Sequence, residues 1–155
     1  MRNIREPQLV TGQVVAIPRS LFRDTSWAWF SVQPLANGVS WDRRGGHLDT
    51  MRIDGRRLVL VGWAPWHLDP QSQTLTLYTD ATLTTTWLHR SERPDVRRVL
   101  HDEALTDNGF AIELDFEADA AVPRSVPLCL VARDASDRGG VLIDSGAGDC
   151  DKYRR

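Results

Sequence analysis

The chain has 155 residues, of which 41% are hydrophobic and 26% are charged, and its formal net charge is −2. This composition fits one globular domain and excludes a disordered chain, a collagen-like repeat and a disulfide-dense mini-protein. The near-neutral charge argues against a nucleic-acid binder, and no stretch reaches the roughly 18 consecutive apolar residues of a membrane span.

The first seven residues are charged and lack the apolar segment of a signal peptide. We therefore expect a cytoplasmic location, with any membrane association made through a partner. Cys129 lies in an apolar run and is predicted to be a small core residue, whereas Cys150 lies in a polar segment and is predicted to be a free thiol. Lys152 is the only lysine, and this excess of arginine reflects either recognition of phosphate or carboxylate groups or codon bias.

Alternating patterns predict the first strands. Candidate strands at 13–17 and 27–32 precede a predicted loop at 34–46. Residues 48–64 predict a β-hairpin, because an alternating segment leads into Asp54-Gly55 and an apolar run follows. A second hairpin is predicted at 74–88, with Asp80-Ala81 as its turn.

The second half contains one predicted helix and three further strands. Pro94 suits the first helical position, and Asp95 lies in the first turn, where the helix dipole favours negative charge. The spacing predicts that one face of this helix packs on a sheet through Val96, Val99 and Leu100, with Arg97 and Arg98 facing outward. The three strands are predicted at 110–116, 126–132 and 140–143.

Short strands at near-regular spacing with one short helix predict an all-β fold. We expect an antiparallel β-sandwich, Ig-like or jelly-roll-like, with a closed barrel as the alternative. The expected organisation is a set of N-terminal strands and a loop at 1–46 packed on the same domain, a sandwich core at 47–145 and a flexible tail at 146–155.

No catalytic or metal-binding motif with specific spacing is present in the sequence. The four histidines are scattered singly, so they predict neither a metal site nor a catalytic cluster. The sequence therefore predicts a non-enzymatic protein without a cofactor or a metal.

Tryptophan is the one unusual residue type, with six in the chain. Sugar-binding proteins expose indoles because the apolar face of a pyranose stacks on a flat ring, whereas other tryptophans fill cores. Trp63 follows an apolar strand and is predicted to be buried. The predicted ligand-binding residues are two indoles in loops and two polar neighbours, namely Trp66, Trp41, His67 and Asp69.

One linear arrangement resembles a known group of modules. Gly62-Trp63-Ala64 lies at a strand end, Arg93-Pro94-Asp95-Val96 follows a pair of short strands, and Gly109-Phe110 opens a later strand. This order is similar to that of small β-sandwich modules appended to bacterial glycosyltransferases and related cell-envelope polysaccharide enzymes. The resemblance covers residues 48–143, and the chain departs from it at Asp80-Ala81, where an Asp-Gly turn is expected.

The resemblance implies structural roles for the motif residues and no catalytic ones. Gly62 and Gly109 would supply backbone freedom, and Arg93 and Asp95 would form a local ion pair that fixes the loop around Pro94. The function it implies is that of an accessory module in surface-polysaccharide synthesis, which binds a glycan or positions a glycosyltransferase or another envelope enzyme. The alternative is a protein docking module that uses a sheet edge or the helix with Arg97 and Arg98.

Overall fold

The computed structural model describes residues 29–67, 72–117, 121–124, 126–135, 137–144 and 150–155. In this part of the chain the strands are β1 (Phe30–Gln33), β2 (Arg43–Gly45), β3 (His47–Asp54), β4 (Arg57–Trp63), β5 (Thr74–Thr79), β6 (Leu83–Ser91), β7 (Gly109–Phe116), β8 (Leu128–Asp134) and β9 (Asp137–Ile143). One helix, α1 (Pro94–Leu100), follows β6, and short 3₁₀ turns occupy Leu35–Asn37 and Cys150–Tyr153.

The strands form two sheets that enclose one core. A five-stranded sheet has the order β1-β5-β8-β9-β2, and a four-stranded sheet has the order β3-β4-β7-β6. Leu60 and Ile112 of the four-stranded sheet share a buried cluster with Leu77 and Leu130 of the five-stranded sheet. This arrangement confirms the all-β prediction. Within the described segments, no helix is long and apolar enough to cross a membrane.

The predicted hairpin at 48–64 is confirmed as β3 and β4. The two strands pair from His47↔Trp63 to Asp54↔Arg57, so the turn consists of Gly55 and Arg56. Gly55 has φ +64°, a backbone angle that glycine adopts without a steric penalty. The alternation before the turn leaves one face of β3 for the core and the other for solvent.

The second predicted hairpin is wrong, because its two strands belong to different sheets. β5 pairs with β1 and β8, whereas β6 pairs with β7. The segment between them crosses from one sheet to the other, where Asp80 accepts a hydrogen bond from the Leu35 amide at 3.1 Å. Alternation identifies a strand without identifying its partner, so the sequence pattern could not separate a hairpin from a crossing between sheets.

The expectation of purely antiparallel sheets is also wrong. β1 runs parallel to β5, and β2 runs parallel to β9. Both parallel strands lie at the edges of the five-stranded sheet. β1 overlaps the predicted strand at 27–32, and β2 lies in the segment predicted as a loop; the predicted strand at 13–17 is outside the described residues.

A second apolar cluster covers the outer face of the five-stranded sheet. Its members come from β5, β8, β9 and the segments on either side of the sheet: Leu35, Val39, Trp41, Tyr78, Cys129, Val131, Leu142 and Cys150, with Tyr153 against them. The segment after β1 and the last residues are thus packed on the sheet. Val39 and Arg154 form a parallel β-bridge, which fixes the end of the chain.

Cys150 is not a free thiol, as the sequence predicted, but forms a disulfide with Cys129. The two Cα atoms are 6.0 Å apart, and both residues are buried in the second cluster. The residues next to Cys150 in the sequence are polar, so they gave no sign that it is buried. The apolar residues that surround it in the fold come from β8 and from the segment after β1. Residues 150–155, predicted as part of a flexible tail, are held by the disulfide and by the bridge at Arg154.

Candidate functional site

The two predicted platform tryptophans are both buried. Trp66 is 1% exposed and packs edge-to-face with Trp29 at 6.1 Å between ring centroids. The guanidinium carbon of Arg90 lies over its ring, 4.3 Å from the centroid. Trp41 is 4% exposed in the second cluster, with Arg154 over its ring at 4.6 Å. Neither indole is a surface platform, because each faces a sheet and is capped by an arginine.

Of the two polar residues predicted beside Trp66, the structure describes His67. His67 Nε2 lies 2.9 Å from Asp102 Oδ2, and the His67 backbone N–H donates to Asp134 Oδ2 at 2.7 Å. The hydrogen bond from His67 lowers the pKa of Asp102 below its ordinary value. Asp69 is outside the described residues. His67 is therefore bonded both to β8 and to the loop before β7, and these bonds stabilise the fold.

The Arg93-Pro94-Asp95 motif fixes the start of α1. Arg93 donates to both carboxylate oxygens of Asp95, at 3.0 and 2.9 Å, and to Asp49 Oδ2 at 3.0 Å. These bonds hold the pKa of Asp95 at about 2, mainly through the Arg93 hydrogen bond. Pro94 is the first residue of the helix. The motif thereby links α1, which follows the edge strand β6, to β3 at the opposite edge of the four-stranded sheet.

The two glycines of the motif allow close approach. A Cβ on Gly62 would lie 2.3 Å from the backbone oxygen of His47, and one on Gly109 would lie 2.8 Å from Arg93 Cγ. Gly62 lies opposite the irregularity in the β3–β4 register between Leu48 and Thr50. Gly109 lets the Arg93 side chain lie against the sheet, from where it reaches Asp49.

The more accessible indoles are instead found on the outer face of the four-stranded sheet. Trp63 and Trp87 are the half-buried tryptophans in the described part of the chain, so the prediction that Trp63 is a core residue is wrong. Trp63 pairs with Gly109, and Trp87 pairs with Glu113. Paired residues share a face, and neighbouring strands are about 4.8 Å apart. The two tryptophans are separated by two strand spacings across the sheet and by the distance from Gly109 to Glu113 along β7, so their Cα atoms lie about 16 Å apart on a diagonal.

Trp87 is bordered by a fixed ion-pair network. Its cross-strand neighbour Glu113 accepts a hydrogen bond from Arg57 at 2.9 Å, and Arg57 also donates to Asp115 at 3.0 Å. The hydrogen bond with Asp115 is the main cause of the raised pKa of Arg57. The side chains of Arg57, Glu113 and Asp115 are 39%, 28% and 41% exposed, so their outer edges remain accessible to a ligand.

His89 lies on the opposite side of Trp87. The two rings are tilted by 32° with their centroids 5.6 Å apart. Burial lowers the pKa of His89 below its ordinary value, which favours the neutral imidazole. A neutral imidazole offers one hydrogen-bond donor and one acceptor. Ala111 pairs with His89 on one side and with Val61 of β4 on the other. The centre of the face is therefore apolar, and its side chains project only a short way from the sheet.

An open hollow continues the face beyond Arg57. It has a volume of about 420 Å³ and is lined by Asp54, Arg56, Arg57, Asp115 and Phe116. The outer face of the four-stranded sheet thus combines two indoles, a low apolar centre and polar groups held in fixed positions. Such a surface can stack flat apolar faces while hydrogen-bonding to hydroxyl groups at their edges.

The sequence did not identify Trp87 because a β-bulge changes the direction of its side chain. Leu83 and Thr85 face the core, so simple alternation would also bury residue 87. The pairing shifts between Thr85 and Trp87, and the extra residue Thr86 turns Trp87 outward. No local sequence signal marks this bulge within the threonine-rich run.

In the described residues, no group of three or more histidine, cysteine, aspartate or glutamate side chains could hold a metal ion. Comparisons with protein-family models, with curated proteins and with solved structures found no match to this chain.

Proposed function

We propose that this chain is a non-catalytic carbohydrate-binding module that holds an oligosaccharide on the outer face of its four-stranded sheet. The observation that carries the proposal is the position of Trp87 between neutral His89 and the Arg57–Glu113 pair. The indole would stack on the apolar face of a pyranose, while Glu113 and Arg57 would bond to its equatorial hydroxyl groups.

The length of the face favours a chain of sugars over a single one. Trp63 and Trp87 are both half-buried and are separated by about 16 Å along a diagonal. Ala111 lies between them, and the Arg93 side chain, which crosses the sheet above Gly109, would border a sugar bound at Trp63. The hollow beside Arg57 extends the same path. A role in surface-polysaccharide synthesis is carried over from the resemblance of residues 48–143 alone.

A glycan array followed by calorimetry tests this proposal. Trp87→Ala should weaken binding of any oligosaccharide hit at least about ten-fold, equivalent to about 1.4 kcal/mol of lost stacking. Trp63→Ala should weaken binding of longer oligosaccharides and leave the shortest hits unchanged. Leu100→Ala is the matched control, because Leu100 is 50% exposed on α1, outside this face. A folded protein with a blank array, or equal affinities in Trp87→Ala and the control, would overturn the proposal.

A second candidate function, docking to a protein partner, is favoured by α1. Val99 and Leu100 are 76% and 50% exposed and are the exposed large hydrophobic residues of the described segments. They lie beside Arg98 at the end of the helix. If the chain positions a glycosyltransferase domain through α1, Val99→Asp should abolish their co-purification, whereas Trp87→Ala should leave it intact.

A further inference from the structure

A second concave site lies at the turn between β8 and β9, on other elements than the proposed sugar-binding face. It is a cleft of about 210 Å³ lined by Ser72, Arg133, Asp134, Ala135 and Arg138. Two arginines therefore line one small cleft in a chain whose net charge is −2. Two arginines and one carboxylate leave the lining with an excess of one positive charge, which favours a bound anion.

The position of Arg133 is fixed by the backbone. Its Nη2 donates to the Ser40 carbonyl oxygen at 2.8 Å. A Cβ on Gly140, which has φ +98°, would lie 3.3 Å from both Cζ and Nε of Arg133. The guanidinium thus rests on the bare backbone of Gly140. A bond through a single nitrogen leaves the other donors of the planar fork for a ligand.

The carboxylate that lines the cleft is buried, and one of its oxygens is bonded to the backbone. Asp134 is 3% exposed, and its Oδ2 accepts the His67 backbone N–H at 2.7 Å. Arg44, Arg57, Arg93 and Arg97 each form an ion pair with an acidic side chain. By contrast, Arg133 and Arg138 form none with the described residues.

We propose that this cleft binds an oxyanion, the phosphate or carboxylate group of a ligand, between Arg133 and Arg138. Guanidinium groups match both anions because their parallel N–H donors bond to two oxygens at once. Arg133 supplies an oriented donor fork, and the exposed Arg138 closes on the anion from the neighbouring strand. The site shares no residue with the sheet face, so the two proposals fail or succeed separately.

The test is titration of the whole protein with inorganic phosphate and, in a second arm, with acetate at constant ionic strength, followed by amide NMR shifts. We expect saturable shifts at residues of the β8–β9 turn. Saturation by phosphate alone would assign a phosphate ligand, and saturation by acetate alone would assign a carboxylate ligand. Arg138→Gln should weaken the affinity at least about ten-fold, because a charge-assisted bond is lost.

Two further variants keep the test decisive. Arg98→Gln removes the same charge from an exposed position on α1 and should bind like the wild type. Arg133→Lys keeps the charge but not the planar fork, so it should bind more weakly than the wild type even when it folds normally. Equal titrations of the wild type and Arg138→Gln, or unsaturable shifts spread over the surface, would overturn the proposal.

Discussion

Gly109 has no side chain, and this leaves room for the long side chain of Arg93. The Arg93 side chain crosses the sheet above it and reaches Asp49, so α1 and β3 are joined over the intervening strands. The family resemblance suggested backbone freedom for Gly109, but its φ is not positive. Its role is close approach, which only the three-dimensional arrangement reveals.

We therefore expect Gly109→Ala to destabilise the fold by about 1–3 kcal/mol through steric overlap. The new Cβ would lie 2.6 Å from Ser91 Oγ and 2.8 Å from Arg93 Cγ. Urea unfolding monitored by tryptophan fluorescence measures the loss. Adding Ser91→Ala should recover part of it, because the nearest atom is removed; no recovery would contradict this account.

Asp95 should make stability depend on pH in the acid range. Its pKa is lowered from 3.8 to about 2, so its ion pair stabilises the fold above the ordinary pKa and is lost as pH falls toward 2. In Asp95→Asn, the decrease in unfolding free energy between pH 4 and pH 2 should be smaller than in the wild type. Asp54→Asn, an exposed aspartate outside this ion pair, serves as the control in urea titrations at each pH.

At the scale of elements, sequence patterns located strands well and their partners poorly. The Asp54-Gly55 turn specified its hairpin because a short turn forces adjacent strands to pair. Nothing local specified that β5 and β6 lie in different sheets, or that β2 pairs with β9 from about a hundred residues away. The bulge at Thr86 turns Trp87 to the outer face, and no pattern in the sequence indicated it.

For helix α1, the sequence likewise predicted the position of the element better than its contacts. Its bounds follow the Pro94 and Asp95 signals, but only Val96 of the three predicted packing residues is buried, at 7% exposure. Val99 and Leu100 lie one turn beyond Val96, at the end of the helix, and are exposed there.

Val96→Ala and Val99→Ala should therefore differ. The first removes buried methyl groups and should cost about 2 kcal/mol of unfolding free energy, whereas the second should change stability by less than about 0.5 kcal/mol. Thermal and urea unfolding of the two variants check this, each serving as the control for the other. Equal losses would mean that α1 packs by a different face.

The molecule as a whole consists of two sheets around a main core and an outer cluster sealed by the disulfide. The second layer is built from the segment after β1, with Leu35, Val39 and Trp41, and from residues 150–155, which the disulfide joins to β8. Disulfides persist in oxidising compartments and are rare in the cytosol. In a reducing compartment we would therefore expect this bond to be open.

Replacing both cysteines with alanine should lower the unfolding free energy by about 3 kcal/mol, since the disulfide closes a loop with a sequence separation of 21. Calorimetry of the oxidised wild type, the reduced wild type and the double variant measures this. The reduced wild type and the double variant should unfold at similar temperatures. A double variant as stable as the oxidised protein would show that the outer cluster is held by packing alone.

The same bond determines how the molecule carries mechanical load. A pull on Arg155 would pass through Cys150 directly to Cys129 on β8, in the middle of the five-stranded sheet. Strand β9 and the rest of the covalent loop would then bear no tension. In single-molecule stretching, a reductant should lengthen the fully unfolded chain by about 70 Å, the extended span of a 21-residue separation at roughly 3.5 Å per residue.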